Sequence, residues 1–332
     1  MSKTIRNCYY EHLTYERLYA AYVRACQGKA NKPNVIRFSI DLETNLANLY
    51  ECLYNNKYMS SSYKEFIIYE PKERIIRALP FRDRIVHQWY IEEFIKPFVV
   101  PRFIRDSYAC IIGRGTHGAV YNLQKYMRCM QRKYGSYYVI KFDISKYFYS
   151  IDKSILYEIM KKYISDKDLL NLTYNIIFDN DFGGIPIGNY TSQYFANIYL
   201  NELDYFIKFS LGVKYYVRYM DDFIVLVSDK ESAKRIFFLV EEFIFSKLNL
   251  KLNRKSRYYP SYLGIDFCGY KIYESHKVLR KRSINGMRKK FNLWFKNKIS
   301  YEELVSSFVS WKGHAKHSDC DDLVSFFESV LF

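Results

Sequence analysis

The sequence predicts a layered body of helices and β-sheet, α+β or α/β, on three observations. Two apolar runs, YYVIKFDI (137–144) and the segment 215–227, have the pattern of buried strands. Long amphipathic helical patterns lie between and around them. Hydrophobic residues make up 49% of the 332 residues, enough to bury a sizeable core. The length fits one large body or two to three subdomains. There is no internal repeat and no low-complexity linker.

In chain order, Leu13, Leu18, Ala21 and Val23 recur at helical spacing, predicting a helix over 8–27 that ends near Gly28. Residues 41–55 predict a second helix. KEFIIYEPKERIIRALP (64–80) reads as a hairpin around a Pro-Lys-Glu-Arg turn. Helices are expected over 84–99 and 117–132, then a buried strand ending at Asp143. Further helices follow over 152–163, 168–178 and 190–209. Residues 215–227 read as strand–turn–strand with Met220-Asp221-Asp222 at the turn. An amphipathic helix over 230–249, a small hairpin over 263–281 and two or three helices over 283–331 complete the chain.

Lys and Arg number 51 against 35 Asp and Glu, a formal net charge of +16. That balance points to a polyanion, nucleic acid first and an anionic membrane surface second. No apolar run approaches the ~20 residues of a spanning helix. MSKTIRNCYYEHL also lacks the apolar centre of a signal peptide, so a soluble, cytoplasmic chain is expected. Seven scattered cysteines without a C-x-x-C are expected to be reduced packing thiols rather than a disulfide or zinc scaffold.

The chemistry concentrates in three acids. Asp143 ends one strand pattern and Asp221-Asp222 interrupt another, VRYMDDFIVLV. Carboxylates in apolar surroundings are costly unless neutralised, and a divalent cation does this well. Magnesium takes oxygen ligands and keeps positions open for water and phosphates. Two such ions ~3.5–4 Å apart can activate a hydroxyl and stabilise a leaving pyrophosphate. An Asp-Asp pair in a turn is by itself usually a cap or a solvated group. Its place between two apolar strands, downstream of a strand-borne Asp, is what singles this one out.

Tyr219-Met220-Asp221-Asp222 resembles the Y-x-D-D signature of reverse transcriptases, and FDISKYFYSID (142–152) resembles their first catalytic motif. The resemblance runs from roughly residue 10 to 330. It implies an α+β right-hand polymerase with N-terminal helices and fingers over 1–135, palm over 136–275 and a short helical thumb over 276–332. It implies two Mg²⁺ ions, with Mn²⁺ as a possible substitute, held at Asp143, Ile144, Asp221 and Asp222. Phe148 falls where the family keeps an aromatic that blocks a ribose 2′-hydroxyl; ordinary core packing is the competing reading. PKERIIRALPFRDRIVHQW (71–89) resembles the fingers of bacterial and intron-type members, with Lys72 and Arg77 matching the pair that grips the incoming triphosphate. Guanidinium groups suit such phosphates because they bind bidentately. Lys255 resembles a lysine that acts as a general acid toward pyrophosphate, with Lys251 and Arg254 as neighbouring candidates.

GIPIGNYTSQ (184–193) is the most diagnostic stretch. Most reverse transcriptases have Q-G-x-x-x-S-P here; Ile187-Gly188 through Ser192-Gln193 resemble the [I/V/L]-G-x-x-x-S-Q form of diversity-generating retroelement enzymes. Ile187 replaces a hydrogen-bonding side chain beside the nascent base pair, which in that branch goes with error-prone copying, notably opposite template adenines. Gly188 permits close backbone approach; Ser192 and Gln193 are candidates either for the nucleotide site or for capping the next helix. The implied partners are an RNA template, a DNA product, dNTPs, and a small basic accessory protein or a cognate noncoding RNA. The resemblance implies a bacterial or phage-encoded chain; an antiphage defence reverse transcriptase working with its own noncoding RNA is the near alternative, and a non-catalytic RNA-binding protein with a relic palm the distant one.

Residues 277–298 carry nine Lys or Arg and no acid, so Arg280, Lys281, Arg282, Arg288 and Lys289 are expected on a nucleic-acid track. Phe291, Trp294 and Phe295 are expected to face the core. Arg114, between Gly113 and Gly115, is expected near template phosphate. His314-x-x-His317-x-x-Cys320 reads as a polar thumb surface or helix junction in preference to zinc.

Overall fold

The computed structural model describes residues 4–69, 73–179 and 182–331. They form two compact units, one of residues 1–105, 144–206 and 240–252, the other of residues 106–143, 207–239 and 253–332. All seven cysteines are free. Among the described residues no helix is long and apolar enough to cross a membrane.

The first unit is mainly helical. Its centre is the helix Phe81–Tyr90, whose Ile85, Val86 and Trp89 are buried. Against it pack the helices Tyr15–Cys26 and Tyr190–Tyr205. The single helix expected over 8–27 is split. A short turn, Tyr9–His12, precedes Thr14, whose Oγ1 accepts the Arg17 N–H and caps the longer helix. The helix Pro33–Ile40 was not among the expected elements; Pro33 sits in its first turn, where a missing N–H costs nothing. The helix expected over 84–99 is also interrupted. A π-turn, Ile91–Ile95, follows Tyr90 and leads into Lys96–Phe98. Pro97 has no N–H with which to continue the α pattern. The hairpin over 64–80 is present as antiparallel β1 (Lys64–Ile68) and β2 (Arg74–Ala78), with Lys64 opposite Ala78.

Asp152 and Asp166 cap the helices Lys153–Lys161 and Lys167–Ile177, each accepting two backbone N–H groups. Asp166 also accepts the N–H groups of Cys8 and Tyr9, which fastens the N-terminal segment to the unit.

The second unit is built on a four-stranded antiparallel sheet of β3 (Tyr138–Asp143), β4 (Tyr215–Tyr219), β5 (Asp222–Val227) and β6 (Arg257–Pro260), in the order β4-β5-β3-β6. β3 and the β4–β5 hairpin match the expected strands; β6 was unexpected. Alternation divides the sheet cleanly. Val139, Val217, Ile224 and Leu226 pack with Ala119, Val120, Leu123 and Met127 of the helix Thr116–Tyr134. On the other face Phe142 stacks on Phe223 at 4.7 Å and on Phe237 at 5.3 Å.

The small hairpin expected over 263–281 is a three-stranded meander of β7 (Ile265–Phe267), β8 (Tyr270–Ile272) and β9 (Lys277–Leu279). Three helices follow, Lys281–Phe295, Tyr301–Ala315 and Asp321–Leu331, around Met287, Phe291, Leu304, Phe308 and Phe327. Phe291 is in that core and Trp294 lies against it, as expected. Phe295 is 62% exposed, contrary to expectation: it falls on the outer side of the last helical turn.

Candidate active site

The β4–β5 hairpin is as short as a hairpin can be. Tyr219 pairs with Asp222, leaving Met220 and Asp221 as a two-residue loop. Met220 has φ +55°, and Asp221 is not among the positive-φ residues. That is the pattern of a type II′ turn, whose first position normally belongs to glycine. A bulky side chain held there stores about 1 kcal/mol of strain or more. The turn is supported from below by Arg218. This side chain is fully buried, and its Nη1 donates to the Met220 carbonyl at 3.2 Å.

Asp143 ends β3 directly opposite Asp222 on β5. Side chains at directly opposed positions project to the same face with Cβ atoms ~4.5–5.5 Å apart. The Asp143 main chain is held by the turn before β6. Its N–H donates to Ser256 Oγ at 3.0 Å, and its carbonyl accepts the Asn253 N–H at 2.7 Å and the Ser256 hydroxyl at 3.1 Å. Asp143, Asp221 and Asp222 are thus gathered at one end of one sheet. Ile144 follows Asp143 and is buried.

Burial pushes the Asp222 carboxyl up to about 6; Lys141 opposes that shift and Asp143 adds to it. Lys141, two residues before Asp143 and so on the same face, reaches Asp222 Oδ2 at 3.2 Å and also donates to the Asp266 carbonyl. Asp222 Oδ1 is buried and accepts no hydrogen bond among the described residues. Such an orphan oxygen, in a set of carboxylates alone, fits a hard divalent cation. The described residues contain no ready three-ligand cage of His, Cys, Asp or Glu. A Mg²⁺ site that keeps water and substrate phosphates as ligands needs only one or two protein carboxylates.

The candidate nucleotide residues belong mostly to the first unit. Lys72 lies outside the described residues. Arg77 is on β2, its guanidinium stacked 3.8 Å over the Phe182 ring and its Nε donating to Glu65 at 2.5 Å. Its N–H donates to the Ile187 carbonyl at 2.9 Å. Gly188 follows with φ +128°, and a Cβ there would sit 2.6 Å from the Arg77 carbonyl, so only glycine fits. Ile187 is half-buried. Phe148, also half-buried, packs edge-on against Tyr147, and its carbonyl accepts the Ile185 N–H at 2.8 Å. Gly184 was not singled out from sequence, yet a Cβ on it would come within 2.3 Å of that same carbonyl. Asn189, not Ser192 or Gln193, is the cap position of the helix Tyr190–Tyr205. Ser192 is buried one turn in, and Gln193 is exposed.

In the second unit, Lys255 is exposed on the turn that carries Ser256, its N–H donating to Asn253 Oδ1. Arg280 stands at the start of the helix Lys281–Phe295 and pairs with Asp266; Lys281, Arg282, Arg288 and Lys289 are exposed on that helix. Arg114 Nη1 donates to the Ser107 carbonyl at 2.7 Å, within its own loop. His314 and His317 sit at a helix end, where the His317 ring stacks on His117 at 3.6 Å and His314 Nδ1 lies 2.9 Å from the Tyr270 hydroxyl. Lys141, Arg218, Ser256 and Gly184 escaped the sequence reading. Of these, Lys141 and Arg218 left a trace there, each as a charge inside an otherwise apolar strand.

The family model described as reverse transcriptase (RNA-dependent DNA polymerase) matches residues 69–272, more than half of the chain. Among solved structures, telomerase from Candida albicans in complex with a TWJ fragment of telomeric RNA is similar with a TM-score of 0.50 at 11% identity, over 72% of this chain and 52% of that one. Apo telomerase from Candida tropicalis, truncated from its C-terminal domain, gives 0.48 at 12% identity over 66% and 53%. The chain spans about half the length of these structures. The similarity to the first is one of fold, that of the right-hand polymerases. No curated protein sequence matches the chain.

Proposed function

The chain belongs to the reverse transcriptase (RNA-dependent DNA polymerase) family, and from that premise we propose that it copies an RNA template into DNA by two-metal nucleotidyl transfer. The observation that carries the reading is the in-register Asp143–Asp222 pair beside Asp221 at the tip of a two-residue turn. Asp143, Asp221 and Asp222, with Ile144, would hold two Mg²⁺ ions, for which Mn²⁺ can substitute. When bound, the ions supply charge neutralisation for the attacking and leaving oxygens. The protein's part is positioning: the Ser256 turn fixes Asp143, Lys141 fixes Asp222, and Arg218 fixes the loop that carries Asp221.

In this reading residues 1–135 are N-terminal helices and fingers, 136–275 palm and 276–332 thumb. Arg77 and Lys72 serve the triphosphate, Arg77 exchanging its Glu65 contact for phosphate. Phe148 selects against a 2′-hydroxyl, Gly188 and Gln193 line the nucleotide, and Lys255 protonates pyrophosphate. The basic helix from Arg280, together with Arg114, follows nucleic-acid backbone. The test is extension of a DNA primer on an RNA homopolymer with the matching dNTP. Product that requires a divalent cation is expected; no product under any divalent cation would overturn the proposal.

Within the family we propose the error-prone, diversity-generating type, working on a cognate structured RNA with a small basic accessory protein. Its support is Ile187 in place of a hydrogen-bonding residue, on a loop seated against β2. Ile187→Gln is expected to lower misincorporation opposite template adenines by about two- to tenfold, the worth of one net hydrogen bond. Sequencing the cDNA checks this, and an unchanged error spectrum would contradict the role.

A further inference from the structure

Lys141 is the one basic residue of β3, two residues before Asp143 on the face that carries Asp222. Its ammonium lies 3.2 Å from Asp222 Oδ2 and is anchored by the Asp266 carbonyl. The anchor is itself braced, because the Asp266 carboxylate pairs with Arg280 where the basic helix begins. The Lys141 side chain is only 19% exposed, so this is a held contact rather than a solvent-swept one. The lysine occupies one oxygen of Asp222 and leaves the other, Oδ1, without a hydrogen-bond partner among the described residues. A monovalent cation is therefore built into the place where the proposed function puts divalent ones.

We propose that Lys141 is a resident counter-cation: it neutralises and orients Asp222 in the metal-free enzyme and, by its charge, weakens the site's hold on Mg²⁺. The inference rests on the metal-binding reading of Asp143, Asp221 and Asp222. Two effects of the lysine oppose each other. It presents Oδ1 to the metal, which favours binding. It also places a positive charge within a few ångströms of a divalent cation, and at an effective dielectric of ~20 that repulsion exceeds the orienting gain of one hydrogen bond. Repulsion wins, so the intact enzyme binds metal more loosely than its carboxylates alone would. The metal stays exchangeable and is held fully only when substrate phosphates add their own negative charge. Without the lysine, the metal-free site carries closely spaced uncompensated acids and loses stability.

The experiment is a Mg²⁺ titration of the full chain without nucleotide, followed by melting temperature and by calorimetry. The variants are Lys141→Met, Lys141→Gln and Lys141→Arg. For both neutral variants the metal-free protein is expected to melt lower than the intact protein. Their Mg²⁺-induced rise should be larger, and the half-saturating Mg²⁺ concentration at least about threefold lower. Lys141→Arg should track the intact protein. Lys141→Gln keeps a donor for the Asp266 carbonyl, so agreement of Gln with Met assigns the effect to charge. A half-saturating concentration that is unchanged or raised in both neutral variants would overturn the proposal while leaving the metal site standing. If Mg²⁺ shifts neither the intact protein nor any variant, the metal reading falls and Lys141's role with it.

Discussion

Asp221→Ala is expected to abolish primer extension, lowering the rate by about 10³-fold or more, while leaving the melting temperature within a few degrees of the intact protein. The size follows from the chemistry. A divalent cation held by such a carboxylate supplies several kcal/mol of charge stabilisation to phosphoryl transfer, and each ~1.36 kcal/mol is tenfold in rate. The small stability effect follows from position: Asp221 is at the tip of a two-residue loop and partly exposed, so its side chain fills no core space. Asp222 differs. It is partly buried, held by Lys141 and opposite Asp143, so its replacement would mix loss of metal with repacking. Asp221 is accordingly the cleaner probe. Full activity in Asp221→Ala would remove it from the metal site.

Arg218→Met is expected to have the next largest effect, through geometry rather than chemistry. The substitution keeps much of the volume of a fully buried side chain but deletes the donor to the Met220 carbonyl. Loss of a charged hydrogen bond to this partly buried acceptor costs about 1.5–3 kcal/mol, which lowers the melting temperature by several degrees. The strained turn then relaxes, and ångström-scale displacement of Asp221 lowers the extension rate by about a hundredfold. Arg218 is a positioning residue, so Arg218→Lys, which retains a charged donor, should recover part of the rate. A Met variant with normal rate and reduced stability would show that the buried guanidinium serves packing alone.

The acidic pair is legible in the sequence because strand periodicity and a two-residue turn leave few ways to arrange it. An apolar run ending in Asp143 and two apolar runs flanking Met220-Asp221 place the acids at strand ends before any partner is known. The in-register pairing of Asp143 with Asp222 needs the tertiary ladder. So does β6, whose Arg257–Pro260 segment reads as loop until β3 supplies its hydrogen bonds. Ser256 and Asn253 hold Asp143 from a turn more than a hundred residues away, and no local pattern announces such a bond. Arg218 and Lys141 look alike in sequence, as charges inside strands, yet one is fully buried beneath the turn and the other lies along an acidic face. Gly184 and Gly188 differ from the other glycines only in the backbone that approaches them. The interruptions within the expected helices have local causes. Thr14 starts a new cap inside an apparently continuous pattern, and Pro97 interrupts another.

The central claim is that three carboxylates at one sheet end cradle a pair of divalent ions. Anomalous scattering from crystals of the full chain soaked in Mn²⁺, with an RNA template, a DNA primer and the next dNTP, tests it most directly. The account predicts two peaks ~3.5–4 Å apart, bounded by Asp143, Asp221 and Asp222. Peaks confined to other residues, or a well-ordered ternary complex with no metal between Asp143 and the Met220-Asp221 turn, would contradict it.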